Sequence, residues 1–273
     1  MQAKQDFRQG RVSIAREYRR QTTIRRNLER LVLREVNKIF RRWLSVTLYL
    51  LGETSTFERG VAQGRLNEDL IPTMQRLYRR IFQTMLESNV DKFEKQEEAV
   101  VFGRNINFEE LVEDYFAGRD LVLAGISARA SRQIDIIIQR GRADGDTLPE
   151  IARNIQRLMG PMLRSRAMMI ARTETHNAAS FANHQYYNAV ADQLQNRMKK
   201  RWVATADNRT RSFHQSVNGQ VRDMDQDFDV GGAKMSYPGD PRGGAKNVIN
   251  CRCVVVYVDE QDLFVEADLP TRP

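Results

Sequence analysis

Cysteine, histidine and long apolar runs are what this chain has least of. Two cysteines and three histidines in 273 residues are no disulfide framework of the kind that staples small secreted domains. No apolar run approaches the ~18–20 residues of a membrane-spanning helix. Residues 1–20, MQAKQDFRQGRVSIAREYRR, lack the apolar core of a signal peptide. The expectation is a protein made and kept in a cytoplasm, or carried inside a particle assembled there. There is no zinc-finger, RRM or homeodomain pattern, so base-specific readout is not indicated. There is also no P-loop, no G-x-S-x-G and no carboxylate cluster of a two-metal nuclease.

What is present is a soluble composition with an uneven charge. Hydrophobic residues make up 41% and charged residues 29%, and a chain of this length can bury a core without staples. The net charge of +8 is concentrated at one end: residues 1–45 hold thirteen Lys/Arg against four Asp/Glu, and the rest is nearly balanced. Such a segment either contacts a polyanion, most simply the backbone of double-stranded DNA, or forms a solvated helix face. The candidate nucleic-acid contacts are Arg25, Arg26, Arg30, Arg34, Arg41 and Arg42.

Hydrophobic periodicity predicts helices for most of the chain. One long helix, or two in line, covers 11–51, with Leu28, Leu31, Val32, Val36, Ile39, Phe40, Trp43 and Leu44 on one stripe and the arginines mostly off it. A glycine-interrupted loop is expected at 52–65 and a second helix at 66–93. Asn107 with Glu110 caps a short helix, and another follows at 126–141. Thr147-Leu148-Pro149-Glu150 is a capping box with proline in the first turn. It opens a helix over 148–159 that Gly160-Pro161 should stop, before a long helix over 162–198. After Lys200 come short strands: one at 201–204, a hairpin over 213–223 around Asn218-Gly219, and a valine-rich strand over 248–258. The fold class is α+β, with a basic helical region over 1–146, a compact domain over 147–260 that should fold without residues 1–45, and a tail over 261–273.

The unusual residues gather between Lys199 and Val256. Cys251 and Cys253, two apart in a strand, point to one face. They are either ligands of one soft metal, with His214 and Asp207 or Asp240 completing a zinc site, or small buried residues. Glu174 lies on the buried row of its helix and needs a partner, for which Arg209 and Arg211 are candidates. His176 and His184, eight residues apart on that helix, are expected on its surface or at an interface. A nuclease or toxin-like hydrolase using His214 is the enzymatic alternative, and a plain DNA-binding module is a third reading.

These residues carry a resemblance. Ala171-Arg172-Thr173-Glu174 is followed by W-V-A-T-A-D-N-R-T-R-S-F-H over 202–214, then Asn218-Gly219, Pro238-Gly239-Asp240-Pro241 and Asn250-Cys251-Arg252-Cys253. The ordered set, over roughly 150–256, resembles the phage head-morphogenesis family of Mu protein F, the minor head proteins. The resemblance implies a virion component of the capsid interior, present in host cytoplasm during assembly. It would associate with the portal protein and meet major capsid or scaffolding protein, aiding head assembly and DNA packaging or ejection. It implies no enzymatic activity. It also marks Arg172, Glu174, Asp207, Arg209, Arg211, His214, Asp240, Cys251 and Cys253 as motif residues. Related domains accompany separate effectors in bacterial toxins. An end soon after the Asn-Cys-Arg-Cys segment, with no added effector, is what the virion role leads one to expect.

Overall fold

The computed structural model describes residues 14–94, 106–193 and 198–259. The tail expected over 261–273 lies outside the described residues. The protein is α+β. Five helices come first: α1 Ile14–Thr54, α2 Arg59–Glu94, α3 Phe108–Ala117, α4 Asp120–Ala143 and α5 Leu148–Gln193. Short elements follow: β1 Met198–Val203, α6 Ser212–Gln215, β2 Val221–Asp223, β3 Phe228–Val230, β4 Ala233–Met235, a 3-10 turn at Pro241–Gly243, α7 Gly244–Val248 and β5 Val254–Asp259. No helix among the described residues is long and apolar enough to cross a membrane.

One expected helix break is absent. α5 runs unbroken through Pro161, and α2 through Pro72, with both prolines exposed. A proline inside a helix removes one hydrogen bond and crowds the preceding turn. Here the buried row outweighs that cost: Ile151, Ile155, Met159, Leu163, Ala167 and Ile170 step through Pro161 by threes and fours, each buried. The loop expected at 52–65 contracts to the few residues between Thr54 and Arg59, because Ala62 and Leu66 already belong to the buried row of α2. The capping box is realised at Thr147, whose N–H donates to Glu150 Oε2 at 2.7 Å.

The chain divides into two compact units that interleave in sequence, where a single boundary at 147 was expected. One comprises 30–78 and 113–172 and is helical throughout. Its core holds Val32, Val36, Phe40, Trp43, Leu70, Met74, Tyr78, Leu123, Ile134 and the α5 row just named. Trp43 Nε1 donates to the Ala62 carbonyl at 2.7 Å, which gives the indole a partner in an otherwise apolar setting.

The other unit comprises 1–29, 79–112 and 173–273. Its sheet is antiparallel with strand order β2-β1-β5, and β3 and β4 form a separate hairpin. Side chains alternate across β1 and β5. Met198, Trp202, Val255 and Tyr257 join the cluster containing Tyr186, Tyr187 and Val190 of α5, while Val203, Val254, Val256 and Val258 join Ile14 and Tyr18 of α1. The valine run is therefore buried on both faces. Residues 14–29 are built into this unit, since Gln21 also donates to the Val255 carbonyl at 3.1 Å. The C-terminal part thus shares packing with residues 14–29, where it was expected to stand without residues 1–45.

The Asn218-Gly219 turn is real but does not join two strands. The residues before it form α6, and β2 after it pairs with β1, Val221 opposite Arg201. Gly219, at φ 82°, sends its N–H to the Trp202 carbonyl at 2.8 Å, and Asn218 Oδ1 accepts from Ala204 N at 2.9 Å. The turn is thus anchored to the end of β1.

Candidate metal centre

The segment 249–253 gathers most of the motif residues. It is a turn between α7 and β5, not the start of a strand as expected. Asn250 sits in the left-handed region at φ 56°, and its N–H donates to Thr173 Oγ1 at 3.1 Å. Arg211 donates to the Ile249 carbonyl at 2.7 Å. Arg252 pairs with both carboxylate oxygens of Asp207, one of them at 2.8 Å. Asp207 also accepts from Arg209 N at 3.0 Å and Thr210 Oγ1 at 3.1 Å. The hydrogen bond from Arg252, with those from Thr210 and Arg209 N–H, holds its carboxyl well below the usual carboxylate range.

Inside this frame His214, Cys251 and Cys253 meet, all buried, with His214 Nδ1 3.6 Å from Cys251 Sγ and 3.5 Å from Cys253 Sγ. The far ring nitrogen, Nε2, lies 3.3 Å from Asn247 Oδ1, and Asn247 Nδ2 donates to the Gly243 carbonyl at 2.9 Å. That second bond orients the amide, so its oxygen faces the imidazole. An oxygen there requires a proton on Nε2 and leaves the Nδ1 lone pair directed at the two sulfurs. The sulfurs also receive backbone donors, Cys251 from the N–H of Cys253 and Cys253 from that of Thr205. The Cys251 thiol hydrogen-bonds the Cys253 sulfur, which raises the first and lowers the second.

Arg25 lies beside the pair. It hydrogen-bonds His176 Nδ1 and donates to the Cys253 carbonyl at 3.2 Å and the Arg252 carbonyl at 3.4 Å. Expected as a DNA contact, it is buried in the motif unit, because its position on α1 faces the 249–253 turn. Arg26, Arg30, Arg34, Arg41 and Arg42 are exposed. Arg34 bonds Glu35 at 2.9 Å, and Arg42 stands 4.0 Å from Asp69.

Not every expected residue joins the centre. Among the described residues the group of potential metal ligands is His214, Cys251 and Cys253; Asp207 and Asp240 are outside it. Asp240 accepts from Ser236 N at 2.8 Å and Arg242 N at 3.0 Å and so organises its own turn. Gly239, at φ 94°, brings that turn against α5, where a Cβ would stand 3.2 Å from Asn177 Cα. Arg209 lies 3.7 Å from Asp207 and Arg211 is used at Ile249, so neither serves Glu174, which is buried in α5. Arg172 is half-buried at the end of the helical unit's α5 segment.

His176 and His184, expected on the surface of their helix or at an interface, are both buried. His184 Nδ1 faces Tyr257 Oη at 3.2 Å, and burial drives its pKa down to about 3. Burial, then Arg25, pushes His176 well below the usual imidazole range. Sequence reasoning missed Arg25, Asn247 and Thr173. The available signal for Arg25 was its place three residues before Leu28 on the apolar stripe.

Ordered motifs thus tie down a buried His-Cys-Cys group within the unit that carries the sheet. Residues 132–256, a little under half of the chain, match the family described as Phage Mu protein F like protein. Over 131 residues it is 29% identical to Minor head protein GP7 of Bacillus phage SPP1, covering 48% of this chain and 41% of that protein. Over 118 residues it is 34% identical to NAD(+)--arginine ADP-ribosyltransferase EFV of Enterococcus faecalis (strain ATCC 700802 / V583), covering 43% of this chain and 24% of that protein. The matched stretches thus span less than half of either relative. No solved structure matches the chain.

Proposed function

We propose that this chain is a minor head protein of a tailed phage, carried inside the capsid and associated with the portal. There it aids head assembly and the packaging or ejection of DNA. The observation that carries this reading is the family match over 132–256, together with the likeness to a protein named as a minor head protein. In the helical unit, Arg30, Arg34, Lys38, Arg41 and Arg42 follow one another on α1 at helical spacing and are exposed. That row is suited to phosphates and carries no base-reading geometry.

The nuclease alternative is weakened by the site itself. His214 is 1% exposed, with Nε2 at Asn247 and Nδ1 at the two sulfurs, so it has no path to a phosphodiester. The ADP-ribosyltransferase is matched over only 24% of its length, and its named activity is not carried over to this chain.

The test is co-assembly. Expressed with the portal and major capsid proteins of the phage that encodes it, the full chain should co-sediment with procapsids and be lost from particles lacking the portal. Equal incorporation into portal-less particles would sink the portal assignment.

A further inference from the structure

We propose that His214 Nδ1, Cys251 Sγ and Cys253 Sγ hold one zinc ion, a structural centre that fastens α6 and the 249–253 turn to the head of β5. The geometry is that of a site rather than of three buried side chains. A tetrahedral zinc with bonds of ~2.3 Å to sulfur and ~2.0–2.1 Å to nitrogen sets sulfur and nitrogen about 3.6 Å apart. The two Nδ1–sulfur distances are 3.6 and 3.5 Å. A neutral imidazole offers one lone pair at Nδ1, enough for one S–H, and the two sulfurs stand almost equally far from it; one ion between the three atoms would engage both sulfurs at once.

The surroundings carry the devices expected of a metal centre. Asn247 fixes the His214 tautomer that frees Nδ1, and Gly243 in turn fixes Asn247. This is the outer hydrogen-bonding layer that orients metal-bound histidines. Backbone N–H groups of Cys253 and Thr205 donate to the two sulfurs. Two thiolates and an imidazole select zinc over magnesium, calcium or manganese, and the two thiol protons leave to solvent as the ion binds.

The fourth ligand is not Asp207, whose carboxylate is held by Arg252, Thr210 and Arg209 N–H. Nor is it His176. An arginine can only donate, so Nδ1 of His176 accepts from Arg25 and its Nε2 keeps the proton. Among the described residues three side chains supply the ligands.

The test uses the full chain, untagged, produced in zinc-supplemented cells and never exposed to chelator. Elemental analysis should find about one zinc per chain. Cys251→Ser and Cys253→Ser should each fall below about 0.2, and Asp207→Asn should keep about one. Asn247→Ala should retain the ligands but bind zinc about 10- to 100-fold more weakly in competition with a chromophoric chelator. Because a serine variant can fail to fold, wild-type protein produced in cobalt medium supplies a second readout: a sulfur-to-cobalt charge-transfer band with a tetrahedral visible spectrum. Wild-type protein with less than about 0.2 zinc and no such band would overturn the proposal. So would loss of the ion in Asp207→Asn, and so would copper at one per chain in place of zinc.

Discussion

Replacing Gly239 by alanine tests whether the Pro238-Gly239-Asp240-Pro241 turn is held by its seat on α5. A Cβ at this position would stand 2.5 Å from Asn177 Oδ1, 3.2 Å from Asn177 Cα and 3.2 Å from His176 Cδ2. Rotating the Asn177 side chain relieves the first of these clashes. The second is with the backbone of a helix, and it is relieved only by lifting the turn. Two penalties add. The left-handed backbone, φ 94°, costs an L residue about 1–2 kcal/mol, offset by about 0.4–1 kcal/mol from the restricted unfolded chain. Overpacking costs about 1–3 kcal/mol more. The expected loss is about 3 kcal/mol. Gly232→Ala is the control: φ is 82°, and nothing lies within 4 Å of the added Cβ. It carries the first penalty alone, a net of about 1 kcal/mol or less. Calorimetry at neutral pH should place the Gly239→Ala transition about 6–12 °C below wild type and the Gly232→Ala transition about 1–4 °C below it. Equal transitions for the two variants would refute the claim that packing against α5, rather than backbone strain, makes this glycine necessary.

Three further outcomes follow from the geometry. His184 is neutral in the folded state down to about pH 3 and protonates near 6.5 when unfolded. The unfolded chain therefore binds the extra proton below 6.5, and stability falls with acid across that window by about 1.4 kcal/mol per pH unit; His184→Gln should flatten the denaturant midpoint between pH 6.5 and 4.5 relative to wild type. Asp207 and Arg252 form a two-point pair that is a quarter exposed, and a double-mutant cycle with Asp207→Asn and Arg252→Gln should give a coupling of about 1 kcal/mol, with a value near zero removing the pair from the frame of the site. Changing Arg30, Arg34, Arg41 and Arg42 together to glutamine should weaken DNA binding most at low salt and reduce the slope of log affinity against log salt by about 3–4, and an unchanged slope in filter-binding assays would move the contact elsewhere.

Much of the architecture was legible because it is periodic. The stripes of α1, α2 and α5 and the valine run of β5 follow from spacing alone, as does the capping box at Thr147. What misled was local punctuation. Gly160-Pro161 reads as a stop, yet the buried row passes through it, and tertiary burial prevailed over local preference. Asn218-Gly219 predicts a hairpin from two residues, but the partner of β2 is β1, a pairing set by packing on Trp202 and β5 rather than by the turn. The candidate site was half legible. Spacing brought Cys251, Cys253 and His214 into one hypothesis, whereas the fate of Asp207 depended on Arg252, which sits between the two cysteines and reaches the carboxylate first.

Arg25 shows most clearly why charge counting and site reading diverge. On a helix rich in arginine it looks like its neighbours, but one turn along from Gln21 it faces the 249–253 segment, where backbone carbonyls and His176 accept its protons. A buried guanidinium needs such acceptors, and a turn with exposed carbonyls needs donors, so the two fix each other. The same holds for the chain's scarce residues: both cysteines and all three histidines are buried. A rare side chain here marks a place where interior polar atoms must be satisfied. The exposed row on α1, by contrast, is built of common residues, and the four-arginine variant is what tests it.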